Sequence, residues 1–192
     1  MGDQTISRFG HVEFEDFPED VRERLAPIVE KSGFVPNVFR ALGGRPRELR
    51  AFLDYHDALM DSDDGLSRAE RELIVVATSA ANNCTYCVVA HGAILRIRAK
   101  DPQIADRVAA NPYTVHLTPR QRAIVHLALI VATASDQLTD DDISEARESG
   151  LTDDEIWDIG AITALFAMSN RLAHLGAIDP NPEFFSLGRL PR

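Results

Sequence analysis

The chain has 192 residues, 45% of them hydrophobic and 26% charged, proportions that suit a globular protein with one full hydrophobic core. Thirty acidic residues against twenty basic ones give a formal net charge of -10, which argues against nucleic acid or an anionic membrane surface as the main partner. No apolar run reaches the length of a membrane span, and the opening residues M-G-D-Q-T-I-S lack the basic and apolar regions of a secretory signal, so the expected compartment is cytoplasmic.

The expected organisation is a single all-α domain over residues 1–192, with an N-terminal arm to about residue 16 and a C-terminal arm from about residue 179. Pro18 opens a helical pattern with Val21, Leu25, Ile28 and Val29 on one side, which Gly33 ends. Pro27 lies inside that pattern and predicts a kink or a break. A short apolar turn, Val35 to Leu42, leads to Gly43-Gly44, and Pro46 starts a helix with Leu49, Phe52, Leu53, His56, Leu59 and Met60 on one face. After a polar loop at 61–65, Ser67 and Glu70 form a capping box, in which each side chain satisfies a backbone N–H of the other residue. The helix that follows breaks at Asn82-Asn83, because asparagine tolerates turn and left-handed conformations. A second helix is expected from about Cys84 to Lys100, burying Val88, Ile94, Leu95 and Ile97. A short helix over 102–110 precedes a second box, Thr118 to Gln121, with Pro119 at the favoured first position. An acidic helix over 139–149 ends at Gly150. A third box, Thr152 to Glu155, opens a long helix whose apolar stripe from Trp157 to Leu172 reads as core or subunit interface. His56 and His126 read as packed core or interface histidines. No stretch alternates with period two for long enough to predict a strand.

The chemistry concentrates between Glu72 and His91. The only two cysteines, Cys84 and Cys87, are spaced C-x-x-C, and His91 follows Cys87 by four residues. On one helix, Cys84, Cys87 and His91 share a face. A single straight helix through this stretch would hold Glu72 roughly 18 Å from Cys84 along the axis. A reversal at Asn82-Asn83 instead brings Glu72 within a turn of His91. The two cysteines then lie in the first turn of a helix, where the dipole and free N–H groups favour a thiolate. His91 is placed to take a thiol proton, and Glu72 to orient the imidazole. A second thiol three residues away can trap a sulfenic acid as a disulfide.

The order E-x11-C-x2-C-x3-H resembles the alkyl hydroperoxidase D-like branch of the carboxymuconolactone decarboxylase superfamily. The flanking S-G-F-V-P-N-V-F-R-A-L and N-R-L-A-H-L are similar to its uncharacterised peroxidase-related members. The resemblance implies an AhpD-like helical domain, with a central helical hairpin carrying the C-x-x-C pair, that assembles into dimers or larger rings. It also implies peroxidase activity, with Cys87 as the peroxidatic thiol, Cys84 as the resolving thiol and Glu72 with His91 as a proton relay. Tyr86 stands where well-studied members carry a histidine, so one proton carrier of the family pattern is missing here.

The expected function is therefore reduction of hydroperoxides through a Cys84/Cys87 dithiol–disulfide cycle, with an external dithiol as reductant, no organic cofactor, no bound metal, and a homo-oligomeric state that flat apolar helical faces also favour. Two alternatives accompany it. One is a redox-responsive disulfide-exchange or binding protein without turnover. The other is a zinc-stabilised module that uses Cys84, Cys87, His91 and Glu72, although three ligands on one short helix crowd a tetrahedron. Asn170, Arg171 and His174 lie near the end of the last helix and are unassigned.

Overall fold

The structure is a computed structural model that describes residues 6–62 and 64–189. Among these residues the chain forms α-helices and short 3-10 turns and no strand. The helices are α1 (Glu19–Ser32), α2 (Asn37–Leu42), α3 (Pro46–Met60), α4 (Arg68–Ala81), α5 (Thr85–Ala99), α6 (Ile104–Ala110), α7 (Pro119–Ala134), α8 (Asp140–Glu148) and α9 (Asp153–Gly176). None of them is long and apolar enough to cross a membrane.

The sequence of α4 explains why it lies at the centre. Every residue from Glu70 to Ser79 is buried, as expected of a helix that is apolar nearly all round. Packed against it are α5, α6, α7 and α9. The main core gathers Ile74, Val75, Cys87, Ile124, Ile159, Ile162 and Phe166. A separate cluster of Phe17, Val21, Leu25, Phe39, Leu49 and Leu53 joins α1, α2 and α3.

All three capping boxes form, at Ser67, Thr118 and Thr152, and a fourth forms at Thr139 with Asp142 in place of Glu or Gln. Such caps each contribute about 1 kcal/mol. Here they are also tied together. Arg120, in the first turn of α7, donates through Nε to Glu70 at 2.9 Å and through Nη2 to Glu155. One guanidinium thus holds the N-termini of α4, α7 and α9 in register. Arg71 next door is completely buried, and its guanidinium donates to the carbonyls of Leu59, Asp64 and Leu66 and to the Asp158 carboxylate.

Several expectations are corrected. α1 runs unbroken through Pro27. Pro27 and Glu23 are both exposed, so the Glu23 carbonyl that loses its helical donor lies where water can reach it. Ile28 is exposed, because the α1 cluster ends at Leu25. On α5, Leu95 is buried, but Ile97 is exposed and Arg96 takes the interior place. The reason is the C-terminal segment, which wraps over α5: Arg96 donates to the carbonyls of Phe184 at 2.8 Å and Leu187 at 2.9 Å. Both arms pack against the helices where they are described. Ile6 and Ser7 are buried, and Arg8 N–H bonds Gly176 O at 2.7 Å. Phe184 packs edge-on against Phe34. Residues 1–5 and 190–192 of the two arms, and Asp63 of the expected loop, lie outside the described residues. Trp157 does not belong to the core: it is 77% exposed, while Ile159, Ile162, Leu165 and Phe166 on the opposite face of α9 are buried. His126 is exposed as well.

Candidate active site

The site starts from a turn. α4 ends at Ala81, and Asn83 adopts a left-handed φ of 55°, which asparagine tolerates better than most residues. Asn83 N–H bonds Ala80 O at 2.9 Å, and Cys84 N–H bonds Ser79 O at 2.9 Å. That pair of bonds is a Schellman closure of α4. Cys84 is at the same time the N-cap of α5, with extended backbone angles. One residue therefore finishes one helix and begins the next, and its side-chain direction is set by both.

The two thiols are reduced and buried, yet they are held at opposite poise. Cys84 is brought down to about 6, first by the Cys87 thiol that hydrogen-bonds to it. Burial opposes this, while the Cys87 backbone N–H, the charge of His174 and the Asn170 amide add to it. Cys87 is pushed well above the ordinary thiol range, because it gives its hydrogen to Cys84, is buried, and faces the Cys84 charge. Ser169 Oγ, 3.9 Å from Cys87 Sγ, offsets this only in part. Cys84 is thus the lower thiol of the pair, the sulfur to which the family resemblance gives the resolving role. A position at a helix N-terminus with a donor thiol one turn on accounts for the difference.

Glu72 and His91 meet across α4 and α5. His91 Nδ1 lies 2.8 Å from Glu72 Oε2, with both side chains nearly buried. A carboxylate only accepts, so Nδ1 carries the hydrogen and Nε2 is the ring nitrogen left free of Glu72. The ring packs edge-on against Phe166 at 4.6 Å. Among the described residues His91 makes no hydrogen bond to either sulfur. It stands one helical turn beyond Cys87. No group of three or more His, Cys, Asp or Glu side chains among the described residues is gathered as a metal site would need. His91 faces Glu72 and Phe166 instead.

The far side of the dithiol is built by α9, which sequence reasoning missed in large part. Asn170 is buried, donates to Ser79 Oγ at 3.1 Å and accepts from Asn82 Nδ2 at 3.0 Å, so its amide spans the turn that holds Cys84. His174 is exposed and donates through Nε2 to Asn83 O at 3.2 Å. Arg171 folds back onto Ala167 O of its own helix and does not reach the sulfurs. The available signal was the polar pair Ser169-Asn170 in an otherwise apolar helix, one turn before His174. Tyr86 is buried, and its hydroxyl accepts from Val38 N–H at 3.1 Å. It fastens the first turn of α5 to α2. Burial and the two thiols push its phenol up. His56 bonds Asp57 and flanks Phe166 on α3.

Comparison with known proteins follows from this geometry. Residues 46–112, from α3 through α6, match the carboxymuconolactone decarboxylase family. The chain is 53% identical to a protein from Ralstonia eutropha described as an alkylhydroperoxidase AhpD core, uncharacterised peroxidase-related, covering 99% of this chain and 100% of that one with a TM-score of 0.96. An uncharacterised peroxidase-related protein from a Silicibacter species is 33% identical over 98% of this chain and 100% of its own, with a TM-score of 0.89. A debrominase, 17% identical over 98% of each chain with a TM-score of 0.73, shares the fold. No curated protein matches the chain.

Proposed function

The chain belongs to the superfamily of alkylhydroperoxidase AhpD and carboxymuconolactone decarboxylase, and from that premise we propose that it is a thiol-dependent peroxidase of the alkyl hydroperoxide type. The observation that carries this reading is a pair of thiols of opposite poise, Cys84 low at about 6 and Cys87 high, one turn from the Glu72–His91 pair.

In this reading the low thiol needs no base and the high thiol has one a helical turn away. The Cys84 thiolate attacks one oxygen of the hydroperoxide. The O–O bond breaks, sulfur is oxidised to the sulfenic acid, and the other oxygen leaves as an alkoxide that takes up a proton. His174, the exposed imidazole whose charge acts on Cys84, is assigned to supply it. Cys87 then attacks the Cys84 sulfur. Its proton passes to His91 Nε2, with Glu72 holding the ring, and on to the departing hydroxide, which leaves as water. The product is the Cys84–Cys87 disulfide, and an external dithiol reopens it by exchange. This order reverses the two cysteine roles that the family resemblance implies. The burial of both sulfurs favours a second reading, a dithiol that exchanges with disulfides and turns over no peroxide.

One experiment separates these. The reduced protein receives one equivalent of cumene hydroperoxide, thiols are counted, and Cys84→Ser and Cys87→Ser are treated with dimedone and weighed intact. Loss of both thiols, reversed by dithiothreitol, with a dimedone adduct only in Cys87→Ser, is the expected result. An adduct only in Cys84→Ser would restore the family's order. Full retention of both thiols would leave the exchange protein as the reading.

A further inference from the structure

Asn170 is the single amide side chain of α9, and it is only 1% exposed. Burying an amide is costly unless its hydrogen bonds are made, so each of its atoms needs a partner. Its Oδ1 accepts from Asn82 Nδ2 at 3.0 Å, and its Nδ2 donates to Ser79 Oγ at 3.1 Å. A primary amide nitrogen carries two hydrogens. Ser79 takes one, and the Asn170 side chain also hydrogen-bonds to both Cys84 and Cys87. The turn itself is closed without this amide, because Asn83 N–H and Cys84 N–H bond the carbonyls of Ala80 and Ser79. What the amide alone supplies is an N–H donor for sulfur, in a plane fixed by its bonds to Ser79 and Asn82.

We infer that Asn170 tunes the redox equilibrium of the Cys84–Cys87 pair, by donating a fixed N–H to the reduced sulfurs and losing that bond when the disulfide forms. The inference rests on the dithiol–disulfide cycle proposed above, and not on peroxide as the oxidant. In that cycle the two thiols give up two electrons and two protons as the S–S bond forms. With glutathione disulfide as oxidant, its own S–S bond breaks, and two glutathione thiols take up those electrons and protons. A thiolate accepts a charge-assisted hydrogen bond, whereas the uncharged sulfur of a disulfide is a weak acceptor. The Asn170 bond therefore favours the reduced side once a sulfur is ionised, and has little effect while both thiols are protonated. Both sulfurs are 1% exposed, so water does not replace the donor, and the buried setting strengthens the bond. Removing the donor makes the disulfide harder to reduce. The other titratable groups that act with the pair are Tyr86 on α5 and His174 on α9. Both are present in wild type and variant alike, so their influence cancels in the comparison.

The test is the equilibrium of the full chain with reduced and oxidised glutathione at pH 5 and pH 8, read by acid quench and mass. Asn170→Leu has a similar shape and no polar atom. At pH 8 it is expected to shift the equilibrium about tenfold toward the disulfide, which is about 30 mV. At pH 5, below the Cys84 ionisation at about 6, it is expected to agree with wild type within about twofold. By linkage the same factor of about ten appears in the thiolate absorbance, as a first ionisation raised about one unit. Asn170→Ala removes the donor with a smaller side chain, answers for a leucine variant that does not fold, and is expected to show the same pattern. A variant equal to wild type at pH 8 would overturn the inference. So would a shift of the same size at both pH values, which is what a merely loosened turn would give. A pair that stays reduced at every glutathione ratio would overturn the cycle and the inference together. Retention of both thiols with cumene hydroperoxide would remove the peroxidase and leave this equilibrium as it is, so the two fail separately.

Discussion

Replacing Cys87 by Ala should raise the pKa of Cys84 by one to two units. The hydrogen bond from the Cys87 thiol is the largest influence that brings Cys84 down to about 6. A hydrogen bond to a charged group contributes about 1.5–3 kcal/mol, which corresponds to about one to two pKa units. The substitution leaves the α5 N-terminus, the Cys87 backbone N–H position and His174 in place, so the thiol should settle near 7–8, short of the roughly 8.5 of a free cysteine. The assay is the ultraviolet absorbance of the thiolate against pH, which does not require a reagent to reach the buried sulfur. Cys87→Ala contains a single thiol, so its titration is unambiguous. In the wild type the first proton should leave near pH 6 and the second well above the usual thiol range. A first ionisation at pH 8 or higher in the wild type, or a Cys87→Ala titration that coincides with it, would refute the account of how the turn sets the thiolate.

Glu72→Gln should slow disulfide closure about a hundredfold while leaving sulfenic acid formation nearly unchanged, because in the proposed mechanism Glu72, bonded to His91, holds the base that serves Cys87; stopped-flow traces with dimedone competition resolve the two steps, and a defect confined to the first step would contradict the assignment. Stability of the reduced protein should depend on pH with a definite sign. Cys84 has a folded pKa below its unfolded value, so its contribution is lost as pH falls through about 6, and between pH 6 and about 8.5 unfolding free energy should rise by about 1.4 kcal/mol per unit. Cys87 is raised, so above about pH 8.5 it acts in the opposite sense. Urea midpoints of wild type against Cys84→Ser, both reduced, measure this, and a flat difference between them would refute it. Arg120→Ala should cost about 2–3 kcal/mol, the loss for a buried ion pair reduced for its 30% exposure, seen as a lower urea midpoint at unchanged m-value. A cost below about 0.5 kcal/mol would mean that the three caps stand without their common tie.

The local features of this fold were legible in the sequence because their causes are local. Ser67, Thr118 and Thr152 each announce a helix start through a partner three residues on, and all three boxes form. Asn82-Asn83 announces the end of α4, because a left-handed residue is needed there and Asn83 supplies it. What escaped depends on contacts far along the chain. Arg96 is interior and Ile97 exposed only because residues 184–187 wrap over α5. Trp157 and Ile159 look alike in an apolar helix, and only the packing of α9 against α4 and α7 decides which faces inward. At the site, the cysteines, His91 and Glu72 were readable from spacing. The poise of the two thiols was legible only in part: its largest cause is the hydrogen bond between them, while burial and the contributions of Ser169, Asn170 and His174 come from packing far along the chain.

That dependence gives the site its asymmetry. Two cysteines three residues apart on an isolated helix would both feel the same dipole and differ little. Here the hydrogen bond between the two thiols breaks the equivalence first, and α9 adds to it. The Asn170 amide is held by Ser79 and Asn82, the residues on either side of the α4 terminus, so the element that fixes the turn is also the element that touches both sulfurs. His174 adds its charge on the Cys84 side and bonds the Asn83 carbonyl. Ser169 stands on the Cys87 side alone. A thiolate that is ready near neutral pH and a thiol that must wait for a base are the two states that a dithiol peroxidase needs in sequence, first to attack and then to close. In the reading proposed above these two states fall on different cysteines, set first by the bond between the thiols and then by a helix on which neither cysteine lies.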